Sequence, residues 1–477
     1  MPSIEISHDD MERLLGLRVS IEALGDLIAF AKCRMNTVDG DSVKVDANDT
    51  NRPDLWSSEG IAREVGFRTK KPGLPDYKLK NSKVVVNVDR SVHEVRPLTV
   101  CAIVTQLKLD RLALSQAIQL QEKVAVSFGR NRKEVAIGVY DLDRIRPPIM
   151  YTTVEPDGIK FIPLDFEEAM TPEEILEKHP KGKEFGHLLA KADRYPMFID
   201  SAGEVLSVPP IINSDYSGKV TEDTTNVFIE CSGFNLKMLS TALNVICTAL
   251  AERGGMIGRV RVQYPGMRII TPNLTPKKTH IHLAYFNRLS GSCLDLNEAC
   301  RLLQKSGYKI VKKRERIEVL YPAYRQDIMH ERDLMEDMLI SYGYGKIQPL
   351  RPRLPTVGKT SETERFSNIF SNIMMGLGFQ EIMSYTLTNM SNLFEKMNLR
   401  EEPLIELENP VSANWDVFRN WLLPCLMEFL SNNLHVDYPQ KIFEIGDVVV
   451  PDGDTGAGAR DIRKIACAIS DTTVSYE

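Results

Sequence analysis

The chain has 477 residues, enough for roughly three or four domains of about 100 to 200 residues each. Its composition, 43% hydrophobic and 26% charged, excludes a mainly disordered or collagenous protein. Lys and Arg number 59 against 65 Asp and Glu, and the formal net charge of −6 argues weakly against a dedicated nucleic-acid coat while leaving room for a local basic patch.

Cysteine usage and hydropathy bear on the cellular compartment. The eight cysteines occur singly, without a C-x-x-C pair and mostly in apolar surroundings, so we interpret them as reduced, buried thiols rather than zinc ligands or disulfides. The first ten residues are acidic where a secretory signal is basic and then apolar. No segment approaches 18 consecutive apolar residues. The sequence therefore predicts a cytoplasmic protein without a membrane span.

The N-terminal part predicts a small α+β module over residues 1–85. Alternation over residues 3–7 indicates a strand, and the following helix is expected to take Asp9 as its N-cap and to end at Gly16. Residues 57–65 predict a second capped helix before a stretch rich in Pro, Gly and Lys.

Residues 86–270 predict a separate layered domain that mixes strands and helices. The helix expected from Met238 to Ala251 carries no charge. A helix that is apolar all round is buried, so this segment should lie in the core of its domain.

The C-terminal half predicts two further domains. Residues 271–348 are expected to form a compact α+β module that ends in an amphipathic helix from Asp327 to Tyr342. The Pro-rich segment 349–355 predicts a linker, and residues 357–477 predict the last domain.

An acidic cluster in the third module is the first candidate site. Asp333, Glu336 and Asp337 have the i, i+3 and i+4 spacing of one helix face, with Asp327 just upstream. Hard oxygen ligands without His or Cys favour Mg2+ over zinc. The alternative is that acids enrich the first turns of helices and pair with basic neighbours such as Arg325.

A polar loop and strand in the second domain form the other candidate site. Residues 207–218 contain two prolines and small polar side chains, and Glu230 and Ser232 share one face of the strand that follows. The alternative is a polar turn packed over a sheet. Basic residues at 130–133 and 259–261 are either phosphate contacts or merely solvated.

Common catalytic motifs are missing from the sequence. It contains no P-loop, no H-E-x-x-H, no G-x-S-x-G and no G-x-G-x-x-G motif. The residues alone therefore support a multidomain protein with one Mg2+ candidate site and one polar pocket.

Several short signatures nevertheless occur, one after another, along the whole chain. They are Asn51–Leu55 with Glu59–Arg63, Val135–Asp143, Ser207–Asn213, Phe228–Ser232, Tyr324–Ile328 with Asp333–Asp337 and Tyr342–Tyr344, and, more weakly, Arg419–Pro424 with Phe443–Asp447. In this combination the chain resembles the archaeal and eukaryotic β subunits of phenylalanyl-tRNA synthetase.

The resemblance implies a multidomain α+β chain in an (αβ)2 heterotetramer that joins phenylalanine to tRNA(Phe) with ATP. The α subunit is expected to bind ATP and phenylalanine and to hold the aminoacylation site. Residues 357–477 would form a class II catalytic-core-like antiparallel domain that lacks this site. In the family this domain is longer. We therefore expect the chain, which ends at residues 474–477, to stop before the domain is complete.

The resemblance also assigns the acidic cluster. Asp327, Asp333, Glu336 and Asp337 match the metal-binding positions of the family one by one. We expect them to hold a structural Mg2+ near the interface with the α subunit.

The second domain, by the same resemblance, is an α/β editing domain that hydrolyses tyrosine wrongly attached to tRNA(Phe). Glu230 is expected to contact the phenol oxygen of tyrosine, with Ser232 beside it. Ser207 and Phe198 would shape the pocket, and Asn213 would orient the ester or the terminal adenosine. A positioned water is the expected attacking group.

Two other functions stay open at this stage. The chain could be a non-editing scaffold or an RNA-binding relative of the subunit. An independent Mg2+-dependent phosphoryl-transfer enzyme is a further alternative, although the sequence lacks a phosphate-binding loop.

Overall fold

The computed structural model describes residues 2–47, 51–352 and 354–472. The chain divides into two compact units, unit 1 (Met1–Pro349) and unit 2 (Leu350–Glu477). Residues 474–477, on which the expected early end of the chain depends, lie outside the described residues, as does residue 353 of the predicted linker. Among the described residues, no helix combines the length and the apolar character that crossing a membrane requires.

The first part of unit 1 is a small antiparallel sheet, in the order β1-β3-β2, with helices packed beside it. Its elements are β1 (Ser3–Ser7), α1 (His8–Leu15), α2 (Ile21–Ile28), β2 (Arg34–Asp39), β3 (Ser42–Asp46) and α3 (Ser58–Thr69). Helix α1 ends at Gly16 in the left-handed conformation, as predicted. Its N-cap, however, is Ser7 and not Asp9, because the Ser7 hydroxyl accepts a hydrogen bond from the backbone amide of Asp10.

A close approach of backbone to backbone explains one of the sequence signatures in this module. A Cβ atom added to Gly60 of α3 would lie 1.6 Å from the carbonyl oxygen of Asp54. Only glycine therefore allows α3 to pack against the turn that contains Asp54.

The central part of unit 1 forms, in the described residues, a ten-stranded sheet flanked by helices. Its elements are β4 (Leu79–Val88), β5 (Leu98–Thr105), α4 (Arg111–Lys123), β6 (Val135–Asp141), β7 (Ile149–Val154), α5 (Pro172–Lys178), α6 (Pro180–Phe185), β8 (Tyr195–Ile199), β9 (Val205–Val208), β10 (Ile212–Asn213), α7 (Asp215–Gly218), β11 (Val227–Gly233), α8 (Leu236–Glu252), β12 (Met256–Tyr264) and β13 (Met267–Thr271). The strand order is β10-β9-β8-β7-β4-β12-β5-β11-β6, and β13 pairs with β12.

The two faces of the central sheet carry different cores. One face packs against α8, in which every residue from Thr241 to Leu250 is buried, so the predicted buried helix is confirmed. The other face holds an aromatic cluster that includes Tyr140, Tyr151 and Phe228. Since successive side chains of a strand point to opposite faces, Glu230 of β11 lies on the side of Phe228.

The last part of unit 1 is a sheet in the order β14-β16-β15 with helices beside it. Its elements are β14 (Lys277–His282), α9 (Leu283–Ser290), α10 (Leu296–Lys305), β15 (Lys309–Lys312), β16 (Arg316–Tyr321) and α11 (Glu331–Tyr342). Helix α11 starts later than the predicted residue 327, because His330 is its N-cap and Asp333 accepts hydrogen bonds from the backbone amides of Met329 and His330. Asp327 therefore precedes the helix.

Unit 2 is built around a long antiparallel hairpin. Its elements are α12 (Glu362–Gly376), β17 (Gln380–Glu381), β18 (Leu387–Thr388), β19 (Val417–Phe418), α13 (Leu423–Asn432), β20 (Gln440–Pro451) and β21 (Ala459–Ser470). Strands β20 and β21 pair in continuous register from Gln440 opposite Ser470 to Pro451 opposite Ala459. A buried ion pair of Arg419 with Glu444, at 2.7 Å, ties the hairpin to the segment before α13.

Candidate functional site

A cavity of about 500 Å³ runs beside β6, the last strand in the path of the central sheet. Pockets that bind small molecules have volumes of about 300 to 1,000 Å³. Its wall combines polar groups of the sequence-predicted pocket with apolar residues of α4 and α8. Apolar lining residues include Leu114, Ala117, Ile118, Ile246, Ala249 and Leu250. The cavity therefore offers both an apolar wall and a few convergent polar groups.

The polar groups meet around the carboxyl group of Glu230. The hydroxyl of Tyr140 lies 2.7 Å from Ser207 Oγ and 3.2 Å from Glu230 Oε1. All three residues are buried, and Glu230 and Ser207 line the cavity. Three strands, β6, β9 and β11, thus contribute one side chain each to a single hydrogen-bonded group.

Burial sets the protonation state of Glu230. Desolvation raises the pKa of this carboxyl to about 8, although the charge of Arg96 and the hydrogen bond from Tyr140 oppose the change. Glu230 is therefore largely neutral at pH 7. Its Oε2 atom is buried and has no hydrogen-bond partner within the described chain. A neutral carboxyl group with a free oxygen can donate a hydrogen bond to a ligand and also accept one.

The other predicted pocket residues divide into two groups. Asn213 lines the cavity, and its Nδ2 lies 3.4 Å from the carbonyl oxygen of Val139 in β6. The buried ring of Phe198 stacks on Tyr151 at 4.3 Å, behind the residues that line the cavity. The structure therefore brings Glu230, Ser207 and Asn213 together at the cavity, and it places Phe198 behind them.

Ser232 is held by a cation and does not line the cavity. Its hydroxyl accepts a hydrogen bond from Nε of the buried Arg96 at 3.1 Å, and its carbonyl oxygen accepts one from Arg96 Nη2 at 2.6 Å. The predicted contact of Ser232 with a substrate phenol is thus not what this arrangement favours.

Sequence reasoning missed Tyr140, although it lies in the signature Val135–Asp143. The signal was the glycine two residues before it. A Cβ atom at Gly138 would lie 2.1 Å from the Tyr140 hydroxyl, so the glycine makes room for the ring along the strand. The pattern Gly-x-Tyr in a strand places both residues on one face.

The acidic cluster of the third module is arranged around a buried arginine. Arg325 donates to both carboxylate oxygens of Asp327, at 2.8 and 2.5 Å, and to Oδ2 of Asp337 at 2.9 Å. The hydroxyl of Tyr308 donates to the same Asp337 oxygen at 2.6 Å. Burial disfavours the charge of Asp327, but the Arg325 guanidinium outweighs it and lowers the pKa to about 2.

The remaining two acids of the cluster have different neighbours. Asp333 caps the start of α11, and Glu336, whose side chain is 51% exposed, pairs with Lys32 at 2.9 Å. Because Arg325 already neutralises Asp327 and Asp337, the four carboxylates as arranged do not fit one Mg2+ ion. A shared ion would require Arg325 to release these two acids.

A different acidic group approaches ligand spacing. Among the described residues, His8, Asp9 and Asp41 bring one ligand atom each within 4.8 Å of one another. Asp41 accepts from the backbone amide of Asp9 at 2.8 Å and from Ser7 Oγ at 2.6 Å. These bonds account for the cluster as a local turn.

Comparisons with known proteins cover both units. Family models match residues 105–249 as "B3/4 domain", 279–344 as "tRNA synthetase B5 domain" and 347–476 as "Phenylalanyl tRNA synthetase beta chain CLM domain". The phenylalanine–tRNA ligase β subunit of Pyrococcus horikoshii is 48% identical over 100% of this chain and 86% of its own length. Those of Pyrococcus abyssi and Methanothrix thermoacetophila are 47% and 38% identical, over 100% and 98% of this chain and 86% and 88% of their own lengths.

A solved structure is similar to a large part of this chain. It is an N-terminal fragment of the phenylalanyl-tRNA synthetase β subunit from Pyrococcus horikoshii, 51% identical to this chain with a TM-score of 0.70. The match covers 72% of this chain and 100% of the fragment.

Proposed function

Because this chain belongs to the family of phenylalanine–tRNA ligase β subunits, we propose that it supports charging of tRNA(Phe) by an α subunit and itself hydrolyses tyrosine wrongly attached to that tRNA. The observation that carries the editing role is the buried, neutral Glu230 with a free oxygen at the cavity. The α subunit would bind ATP and phenylalanine, and unit 2 would be a class II core-like domain without the aminoacylation site.

Physical chemistry explains why such a pocket is useful. An apolar binding site cannot strongly reject an analogue that only adds a hydroxyl group, so a synthetase selective for phenylalanine admits some tyrosine. A second site that hydrogen-bonds the added hydroxyl can bind tyrosine and reject phenylalanine. Phenylalanine would leave the buried polar atoms of Glu230 without a partner, and an unpaired buried group costs about 1 to 3 kcal/mol.

The cavity assigns further roles within this proposal. The phenol of tyrosine would meet Glu230 Oε2, while the Tyr140 hydroxyl, which also lies next to Ser207 Oγ, holds the other carboxyl oxygen in place. Asn213, which pairs with Ser207 and lines the cavity, would orient the ester or the terminal adenosine. Described side chains at the cavity offer no nucleophile with an adjacent base, so a water molecule held near the ester is the attacking group we propose.

Replacement of Glu230 tests the editing assignment. We expect Glu230→Ala to slow hydrolysis of tyrosyl-tRNA(Phe) at least tenfold, because it removes the group that pairs with the phenol. Glu230→Gln should retain more activity, since an amide also donates and accepts. The exposed Glu204 in the same domain provides the control variant Glu204→Ala. Unchanged tyrosyl-tRNA hydrolysis in Glu230→Ala, with phenylalanyl-tRNA still spared, contradicts the assignment.

An assay of the isolated wild-type chain distinguishes the editing function from the alternative of a non-editing scaffold. Hydrolysis of tyrosyl-tRNA(Phe) by this chain alone excludes it, whereas complete inactivity in the presence of an α subunit as well favours it.

Unit 2 supports association with an α subunit. Helix α12 exposes a stripe of large apolar side chains at helical spacing: Phe366, Ile369, Phe370 and Ile373. An exposed apolar surface of this kind marks a protein interface. In an (αβ)2 heterotetramer we propose that α12 contacts another subunit.

A charge placed on α12 tests this interface. We expect Phe370→Glu to reduce co-purification with the α subunit, because it would bury an unpaired charge. Asn372→Glu, at an exposed polar position of the same helix, should leave the complex intact. Equal recovery of the α subunit with both variants contradicts the proposal.

Metal analysis of the same purified complex tests the predicted Mg2+ at Asp327, Asp333, Glu336 and Asp337.

A further inference from the structure

Three consecutive residues beside the cavity adopt the left-handed backbone conformation. Arg130, Asn131 and Arg132 have φ of 51°, 52° and 64° and are not glycines. Non-glycine residues visit this region rarely and usually singly, at a cost of about 1 to 2 kcal/mol each. Such a turn persists only when surrounding contacts hold it, and the basic composition of the segment does not by itself predict this conformation.

Arg96 contributes to those contacts, together with backbone hydrogen bonds from Asn131 and Arg132 to the carbonyl oxygens of Val126 and Ala125. Its buried guanidinium donates to the carbonyl oxygens of Arg132 at 3.1 Å and Lys133 at 3.2 Å, and to Ser232 in β11. One side chain therefore joins the turn to the strand that carries Glu230. The turn and the base of the cavity are held in a fixed relation.

Arg132, the last residue of the turn, lines the cavity, and its side chain is fixed by several contacts. Its Nη1 donates to the carbonyl oxygens of Pro210 at 3.2 Å and Ile211 at 2.9 Å, and its guanidinium lies 4.2 Å from the ring centre of Phe185. Its hydrogen bonds within the described chain use Nη1 alone. The edge formed by Nε and Nη2 makes no hydrogen bond within the described chain. In proteins generally, this edge of an arginine binds two oxygens of a carboxylate or phosphate at once.

Arg132 also has no ion-pair partner within the described part of the chain. Burial lowers its pKa, and the charges of Glu184 and of Glu122, which also lines the cavity, oppose this effect without outweighing it. The other cations of the cavity wall differ: Lys181 is paired with Glu184 at 2.9 Å and Lys219 with Asp215 at 3.7 Å. A half-buried cation without a partner, held rigidly at a cavity, fits an anionic ligand.

We propose that Arg132 is the anion-binding residue of the cavity and that it binds the phosphate group of a nucleotide whose aminoacyl end reaches Glu230. This inference rests on the proposed editing function, which supplies the nucleotide as the 3′ end of a charged tRNA. Arg96 is a positioning residue that acts through the turn. The cavity then has two recognition ends, a neutral carboxyl for the phenol and a guanidinium for the phosphate.

Two small substrates test the phosphate contact in the full chain. They are 3′-O-tyrosyl-adenosine and the same ester with a 5′-phosphate. A hydrogen-bonded ion pair contributes about 1.5 to 3 kcal/mol, so we expect the phosphate to raise kcat/KM about 10- to 100-fold in the wild type. Arg132→Gln should lose this increment and keep the wild-type rate on the unphosphorylated ester.

Arg144 provides the matched control. It too donates to a backbone carbonyl, that of Tyr216 at 2.8 Å, and lies over an aromatic ring, but it does not line the cavity. Arg144→Gln should keep the full increment. An unchanged increment in Arg132→Gln overturns the inference. If Arg132→Gln does not fold, Arg132→Lys decides, since it keeps the charge without the paired edge and should lose most of the increment.

Direct binding separates this inference from the editing function itself. If the wild type hydrolyses neither these esters nor tyrosyl-tRNA(Phe), the editing function is contradicted, and calorimetry with adenosine 5′-phosphate and adenosine then decides on Arg132. Tighter binding of the phosphate form, lost in Arg132→Gln, supports the inference. Inorganic phosphate bound as tightly as adenosine 5′-phosphate overturns the assignment to a nucleotide.

Discussion

Glu230 ties the stability of unit 1 to pH. Its pKa is raised by burial to about 8 from 4.5, so the folded chain keeps a proton that the unfolded chain releases. The stabilisation from the neutral form is complete below about pH 4.5 and is lost as the pH rises through 8. Its size is on the order of 5 kcal/mol at most.

This dependence can be measured with a variant that cannot ionise. We expect the free energy of unfolding in urea to fall between pH 5 and pH 8.5 more steeply for the wild type than for Glu230→Gln. Glu204→Gln, at an exposed position, should follow the wild type. Parallel curves for wild type and Glu230→Gln would show that the carboxyl is charged throughout this range.

At the scale of elements, a buried cluster of charges joins the N-terminal module to the end of α8. Arg253 binds both oxygens of Asp10 in α1, at 2.6 and 2.7 Å, and Oε1 of Glu59 in α3 at 2.6 Å. Its side chain is only 9% exposed. Three helices that lie far apart in the sequence therefore share one cation.

Arg13 provides a comparison for the energy of this cluster. It also binds Asp10, at 2.9 Å, but its side chain is 55% exposed. We expect Arg253→Met to reduce the free energy of unfolding by about 3 to 5 kcal/mol, because it leaves the buried Glu59 unpaired and Asp10 with the exposed Arg13 alone. Arg13→Met should cost at most about 1 kcal/mol. Urea unfolding measures both, and similar losses would show that burial does not control the strength of these pairs.

Local sequence signals predicted most of the elements in this fold. The apolar run that forms α8 and the end of α1 at Gly16 follow from periodicity and capping chemistry, and both are confirmed. The helix α11 was placed too early because acidic residues favour helix starts in general, whereas His330 fixes the start here. The basic segment 259–261 is part of the central strand β12, where its alternate residues are buried. A charge count does not show that alternation.

The candidate site was predictable only in part, for a geometric reason. Glu230 and Ser207 belong to polar signatures that a sequence displays directly. Tyr140 and Arg132 join them through strand pairing and a left-handed turn, which depend on contacts between distant segments. The acidic cluster shows the reverse case. The spacing of its carboxylates suggests a shared ion, but Arg325 lies between two of them.

At the scale of the whole molecule, the two units have separate cores. The hydrophobic clusters of the described residues belong either to unit 1 or to unit 2, and none contains residues of both. The unit boundary falls within the Pro-rich segment at 349–355. A domain with its own core and a linker of this composition can fold independently.

We therefore expect a chain that ends at Pro349 to fold and to retain the cavity chemistry. The similar Pyrococcus horikoshii structure, which covers 72% of this chain, is a crystal structure of an N-terminal fragment. The shortened chain should unfold cooperatively in urea, hydrolyse tyrosyl-tRNA(Phe) if the full chain does, and show the same pH dependence at Glu230. It should not co-purify with the α subunit through α12, which it lacks. The cavity and the cores around it lie entirely within the retained residues. An unfolded shortened chain would therefore show that unit 1 depends on unit 2 for its stability.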